Sequence, residues 1–140
     1  QLDRFLVGLE IGYPDEATER ALLEHGDTRT RANTLDSLLN ERDLRYWRDQ
    51  CERVHLSSPV LDYVQALINE TRSTTTGLSP RAGLSMVRLC RAFAVINQRD
   101  HVLPEDVRSI FPALAGHRLT GQVRSGYKLA RQILDEVAMP

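Results

Sequence analysis

The sequence predicts an all-α chain, a bundle of about six helices preceded by one orphan β-strand. Three observations carry that reading. Apolar residues recur at helical spacing over most of the 140 residues, one short stretch alternates with a period of two, and Ser, Asp, Asn or Pro heads most of the helical runs.

Residues 4–12 are the alternating stretch, with Phe5, Val7, Leu9 and Ile11 on one side and Leu6, Gly8 and Glu10 on the other. A lone strand cannot satisfy its own backbone, so this one needs a sheet that the rest of the sequence does not offer. It is either an orphan from another domain or pairs with a second copy, and without its sheet it is expected to be disordered, folded back on the helices, or paired with another molecule in an exchange. Gln1 in place of an initiator methionine, and a chain that starts inside a patterned segment, are what an excised fragment would show.

Gly12-Tyr13-Pro14 reads as a turn or hinge, and Asp15 then caps a short helix over 16–25 with Ala17, Ala21 and Leu22 on one side. Residues 26–34 are polar and without period, a loop or linker, and Leu35, Leu38 and Leu39 form a short apolar anchor. Asn40 caps a helix over 41–54, with Asp43 favourable in its first turn and Leu44, Trp47, Cys51 and Val54 marking its inward face. After His55-Leu56-Ser57-Ser58-Pro59, the next helix sets Val60, Val64, Leu67 and Ile68 along one face to about residue 72. Residues 74–77 are a loop.

The stretch over 78–99 is expected to be the central helix. Ser79 can accept from first-turn amides, and Pro80 suits a position whose N–H has no helical partner. Apolar residues cover most of the circumference, leaving one polar stripe through Arg81, Ser85 and Arg88. The helix dipole does not favour a cation in the first turn, so Arg81 either is simply solvated or faces an anion beyond its own helix. Past Gln98 to His101, Pro104-Glu105-Asp106 opens a further helix, weakly capped by Leu103 and expected to end near 112–116. Residues 116–124 read as irregular, and Ser125 caps a last helix with Tyr127, Leu129, Ile133, Leu134 and Val137.

Composition narrows the class. At 41% hydrophobic and 26% charged, the chain suits one compact soluble domain. A net charge of -1 argues against a surface that grips nucleic acid, although of the 18 Lys+Arg only Lys128 is lysine. Cys51 and Cys90, far apart and each in a helical pattern, read as reduced, buried thiols of a cytoplasmic protein. No apolar run approaches membrane-spanning length and no signal-peptide pattern opens the chain, so no membrane insertion is expected.

Few residues stand at the spacing of a catalytic, metal or phosphate site. No Gly-rich run precedes Lys-Ser or Lys-Thr, so there is no phosphate-cradling P-loop. His55 lies four residues after Cys51, a ligand-like spacing, but two ligands do not make a zinc site and no metal is expected. Asp100-His101 suggests a base with its orienting carboxylate, yet no nucleophile is placed by sequence. Glu105 and Asp106 need only the dipole of their own helix to explain them.

The ordered series Leu2-Asp3-Arg4-Phe5, Ile11-Gly12-Tyr13-Pro14, Leu78-Ser79-Pro80-Arg81-Ala82, Val102-Leu103-Pro104-Glu105-Asp106-Val107 and His117-Arg118-Leu119 resembles the C-terminal part of a MoxR-type AAA+ ATPase. The resemblance covers most of the chain, thinning over 27–33 and after Thr120. It implies that residues 1–14 are the C-terminal strand and hinge of an αβα ATPase core and that 15–140 are the helical lid. In that family the Leu-Asp-Arg-Phe arginine points at the neighbouring subunit's nucleotide, which makes Arg4 resemble the arginine finger. The Ser-Pro-Arg run opens the helix carrying the second sensor, so Arg81 resembles the arginine that reaches the γ-phosphate of its own subunit's ATP, with Arg88, on the same stripe, a weaker candidate for the lid-to-core contact. Where the family usually has a small polar cap before Pro-Glu-Asp-Val, this chain has Leu103.

The resemblance further implies a parent ATPase that uses ATP and Mg2+, with neither held tightly by this fragment, since the P-loop, the acidic metal-binding motif and the first sensor of the family lie upstream. The implied partners are the chain's own AAA+ core, the neighbouring subunits of a homo-oligomeric ring and a von Willebrand A-type protein. The implied activity is chaperone-like remodelling or activation of client complexes. The alternative is a helical DNA-binding or protein-interaction module without nucleotide chemistry, in which 74–79 would be the turn of a helix-turn-helix.

Overall fold

A computed structural model describes residues 2–26 and 35–140. Among the described residues there are a 3-10 turn at Leu2–Arg4 and six α-helices: α1 Glu16–His25, α2 Glu41–Arg53, α3 Ser58–Thr74, α4 Pro80–Ile96, α5 Pro104–Thr120 and α6 Val123–Glu136. The all-α bundle is borne out. Apart from Gly26, which closes α1 by donating to the Leu22 carbonyl, the loop expected over 26–34 lies outside the described residues.

The segment expected as a strand is corrected. Residues 7–15 carry no ladder, and among the described residues no strand is present. The alternation of Phe5, Leu9 and Ile11 is real, but it buries nothing: these side chains stay exposed. Without a partner strand the backbone turns to the bundle instead, and the Gly8 N–H donates to the Ala113 carbonyl in α5 at 2.9 Å.

The core is built by α3 to α6, with Val60, Val64, Leu67, Met86, Phe111, Leu114 and Ile133 at its centre. Its hub is α5, which buries residues on every side, from Val107 and Phe111 to Leu114, Ala115 and Leu119. Here the expected centre shifts, because α4 buries one row only, Ala82, Met86, Cys90 and Ala94, spaced one turn apart. Leu84 and Ile96 of α4 are exposed. Burial and then the nearby Asp106 charge push the Cys90 thiol up to about 12.

Helix α5 also runs past its expected end, to Thr120, with Pro112 inside it. Proline removes the N–H that the carbonyl four residues back would accept. The helix continues because the next turns bury Leu114, Ala115 and Leu119. Gly121, at φ 74, makes the left-handed turn that closes it. The last helix starts at Val123 with Gln122 at its cap, earlier than the Ser125 start expected, and Ser125 pairs its hydroxyl with that of Thr120 at 3.1 Å.

The first two helices are peripheral. α1 is capped by Asp15, whose side chain accepts from the Thr18 N–H, and it buries no residue. α2 has the expected Asn40–Asp43 capping box. Of its expected inward face only Val54, just past its end, is in the core; Leu44 and Trp47 are about half exposed. Tyr46 packs edge-on against Trp47 at 5.2 Å between ring centres.

The turn from α4 to α5 is fastened twice. Arg99 N–H donates to the Ala94 carbonyl and Gln98 N–H to Val95, each at 2.9 Å, which is a Schellman ending with Gln98 in the left-handed position at φ 56. A side chain there costs about 1 kcal/mol that glycine avoids. Gln98→Gly should therefore raise stability by about 0.5–1 kcal/mol in urea unfolding, and an unchanged midpoint would contradict the reading. The turn delivers Arg99 to Asp106, whose carboxylate it grips at 2.7 and 2.5 Å. Asp106 also accepts from the Leu103 N–H at 2.9 Å, so α5 starts at Pro104 although Leu103 offers no side-chain cap. Alongside, His55 N–H donates to the Asp100 carbonyl and Val102 N–H to that of His55, tying the start of α3 to the same turn.

Candidate functional site

The segments that carry Arg4 and Arg81 meet at one joint. Ser79 accepts the Ala82 N–H at 3.2 Å, as an N-cap should, and donates its own hydroxyl proton to the Asp3 carboxylate at 3.0 Å. Arg4 follows Asp3 directly, and Arg81 lies in the first turn of the helix that Ser79 caps. Pairing across 76 positions of sequence thus brings the two predicted arginines to one end of the bundle.

The loop before α4 is held from the α3 side. Thr71 is buried; its hydroxyl donates to the Ile68 carbonyl at 2.6 Å and accepts the Leu78 N–H at 3.0 Å. Arg72 donates to the Leu78 carbonyl at 3.2 Å. Gly77 sits at φ 76, and a Cβ there would come within 2.5 Å of the Arg72 side chain. The N-terminus of α4 is therefore fixed on both sides of Ser79.

Arg4, Arg81 and Arg88 are all exposed. Arg88 stands seven residues after Arg81, two turns along the same stripe, about 10 Å away. Among the described residues neither Arg81 nor Arg88 makes a hydrogen bond or ion pair, whereas Arg4 does have an interaction of its own. Among the described residues, then, two guanidinium groups stand without an anionic neighbour on one face of a helix whose other face is anchored by Met86 and Cys90. Among the described residues no cluster of three or more His, Cys, Asp or Glu side chains could hold a metal ion.

The residue that sequence reasoning passed over is Arg118. Its side chain is 4% exposed, and its five N–H groups all find acceptors. Nε donates to the Asp3 carboxylate at 3.2 Å. One terminal nitrogen donates to the carbonyls of Leu6 at 3.1 Å and Leu114, and the other to those of Asp3 at 3.3 Å and Phe5 at 2.6 Å. Beside it, buried His117 donates from Nε2 to the Phe5 carbonyl at 3.1 Å, with its Nδ1 unpartnered among the described residues. The His117-Arg118 pair was visible as a motif, but nothing in the sequence joined it to residues 3–6.

Comparison with known proteins agrees with this architecture. Residues 66–137 match the AAA lid domain family, and the chain belongs to that family. Its relatives include Chaperone MoxR1 of Mycobacterium tuberculosis, 30% identical over 132 residues that cover 85% of this chain and 34% of the relative. Protein MoxR of Paracoccus denitrificans is 28% identical over 139 residues, covering 84% of this chain and 41% of the relative, which places the chain among the C-terminal parts of MoxR-type AAA+ ATPases. The uncharacterized protein YeaC of Bacillus subtilis matches all of the chain at 26% identity, over 47% of its own length. A crystal structure of a candidate ATPase from Cytophaga hutchinsonii shares the fold, with a TM-score of 0.78 over 99% of this chain and 48% of that one, at 22% identity. The chain thus spans less than half the length of the proteins it matches. No helix among the described residues is long and apolar enough to cross a membrane.

Proposed function

We propose that this chain is the lid of a ring-forming ATPase, in which Arg81 reads the nucleotide of its own subunit and Arg4 serves the neighbouring one. The observation that carries the reading is the Asp3–Ser79 contact, which places both arginine-bearing segments at one end of an AAA lid bundle. In this reading residues 1–14 close the nucleotide-binding core and act as hinge, and 15–140 are the lid. The ring works in the cytoplasm as a chaperone-like remodeller of client complexes with a von Willebrand A-type protein as partner, and the mycobacterial relative's name supports the chaperone part of this reading.

ATP supplies a γ-phosphoryl group whose oxygens carry the charge of the transfer. Arg81 offers a planar cation on a helix whose buried row cannot shift without disturbing the core, so its position follows the lid as a whole. Arg88, two turns farther along the stripe, can meet a second anionic group as the lid closes. Lid position then depends on what the two cations touch, which converts nucleotide state into motion.

Loss of the Arg81 guanidinium should leave the bundle folded, because the residue is exposed. In the full-length protein Arg81→Ala should lower steady-state ATP hydrolysis by about tenfold to a hundredfold at an unchanged melting temperature. Subunit mixing then separates the two arginines. An Arg4→Ala protein mixed with one defective in its P-loop should regain partial activity, since some interfaces pair an intact nucleotide site with an intact neighbour. An Arg81→Ala protein in the same mixture should regain none, because Arg81 and the P-loop must lie on one chain. Equal rescue in both mixtures would place Arg81 across the interface, and wild-type turnover by Arg81→Ala would reduce it to a bystander.

A further inference from the structure

We propose that Arg118 is a positioning residue: it makes the Leu2–Arg4 turn and the first turn of α4 one unit, and so sets where Arg4 and Arg81 stand relative to each other. The functional half of this statement rests on the reading of the two arginines given above; the structural half does not.

An arginine near a helix C-terminus is ordinarily explained by the carbonyls and dipole of its own helix. That explanation covers one of the five N–H groups of Arg118, the one given to Leu114. The other four go to Asp3, Phe5 and Leu6. Asp3 passes the constraint on, because its Oδ1 accepts from both Arg118 Nε and the Ser79 hydroxyl, and Ser79 in turn receives the Ala82 N–H. A continuous line of hydrogen bonds therefore runs from α5 through the Leu2–Arg4 turn into the backbone that flanks Arg81. The guanidinium is almost fully buried, and five donors in a rigid plane make an arrangement that lysine, with three donors on one atom, cannot reproduce.

His117 and Gly8 close the joint from the other side. His117 shares the Phe5 carbonyl with Arg118. A Cβ at position 8 would lie 3.0 Å from the His117 side chain, so the chain passes the ring closely enough for the Gly8 amide to reach Ala113.

The test uses the full-length protein and two variants. Arg118→Lys keeps the charge but not the fork, and Asp3→Ala removes the shared carboxylate without opening the core, so it serves if Arg118→Lys does not fold. Amide exchange should show the Phe5 and Gly8 amides losing protection by at least tenfold in either variant, while amides of α3 and α6 keep theirs. Unchanged protection at Phe5 and Gly8 would overturn the proposal whatever the catalytic outcome. The second readout is a double-mutant cycle in ATP hydrolysis. Either variant should lower kcat by about tenfold in the wild-type background but lower the residual kcat by less than twofold in a background lacking both arginines, Arg4→Ala with Arg81→Ala, because misplaced groups that are already absent have nothing more to lose. Equal losses in both backgrounds would mean that Arg118 only stabilises the fold, and would overturn its positioning role. A wild-type protein without ATPase activity would sink the reading of Arg4 and Arg81, and amide exchange alone would then decide the joint.

Discussion

Gly126→Ala should destabilise the bundle by about 3 kcal/mol, lowering the melting temperature by about 10 °C. Helices α5 and α6 cross at Gly116 and Gly126, and they approach so closely that a Cβ on Gly126 would fall 1.9 Å from the Gly116 carbonyl oxygen and 2.4 Å from its carbon. Those are backbone atoms of the most buried helix, so no side chain can turn aside to make room. Alanine's higher helix propensity offsets about 1 kcal/mol, far less than the separation of two packed helices takes away. Gly116→Ala should be milder, because the nearest atoms to its Cβ would be the Tyr127 nitrogen at 3.0 Å, the Gly126 carbon at 3.1 Å and the Tyr127 Cα at 3.4 Å. Chemical denaturation of both variants checks the order. A Gly126→Ala protein as stable as the wild type would show that α6 can slide on α5 without loss.

Asp106→Ala should cost about 3–4 kcal/mol. Asp106 is 3% exposed, and the Arg99 side chain that it pairs with bidentately is 23% exposed. Removing the carboxylate leaves a partly buried guanidinium without its partner and the Leu103 N–H without an acceptor at the head of α5. Asp106→Leu should fare better than a broken pair predicts only if Arg99 can reach water, so the two variants together measure how much of the loss is the stranded cation. The pH dependence follows from the same contacts. Burial would raise the Asp106 carboxyl, but Arg99 and the Leu103 N–H outweigh it and hold the group below the ordinary carboxylate value. Its stabilising contribution is therefore complete above the unfolded pKa, about 3.9, and fades as pH falls through the lower folded value. The wild type should lose stability progressively below about pH 4, and Asp106→Asn should show a flatter acid limb over that range. An identical acid limb in both would mean that Asp106 is not the group titrating.

Helix positions were largely legible because caps and periodicity are local. Asn40 and Asp43 predict the start of α2, and Ser79 with Pro80 that of α4, from groups within a turn of one another. What misled was any feature decided by distant packing. Pro112 looks like a terminator until Leu114, Ala115 and Leu119 are seen to bury the turns beyond it. Residues 4–12 alternate like a strand, yet the backbone of Phe5, Leu6 and Gly8 finds its partners in Arg118, His117 and the Ala113 carbonyl, more than a hundred positions away. Leu44 and Trp47 have the spacing of a core face, but the bundle ends short of them. In the candidate site, Arg81 and Arg88 could be chosen from their stripe on α4. Asp3 and Ser79 carried no sign of their contact, since a small acid and an N-cap serine are ordinary residues until the fold brings them together.

The buried guanidinium of Arg118 also limits how this bundle can be cut. A shorter chain beginning at residue 15, where the helices start, would remove four of its five acceptors and the carbonyl that His117 holds. The remaining charge would face a vacated groove and would have to draw in water or swing outward, dragging the C-terminal turn of α5 with it. The smallest portable unit of this architecture therefore begins at the Leu2–Arg4 turn. A chimera that exchanges lids between ATPases should take residues 2–8 together with the helices, because those residues supply the acceptors of Arg118.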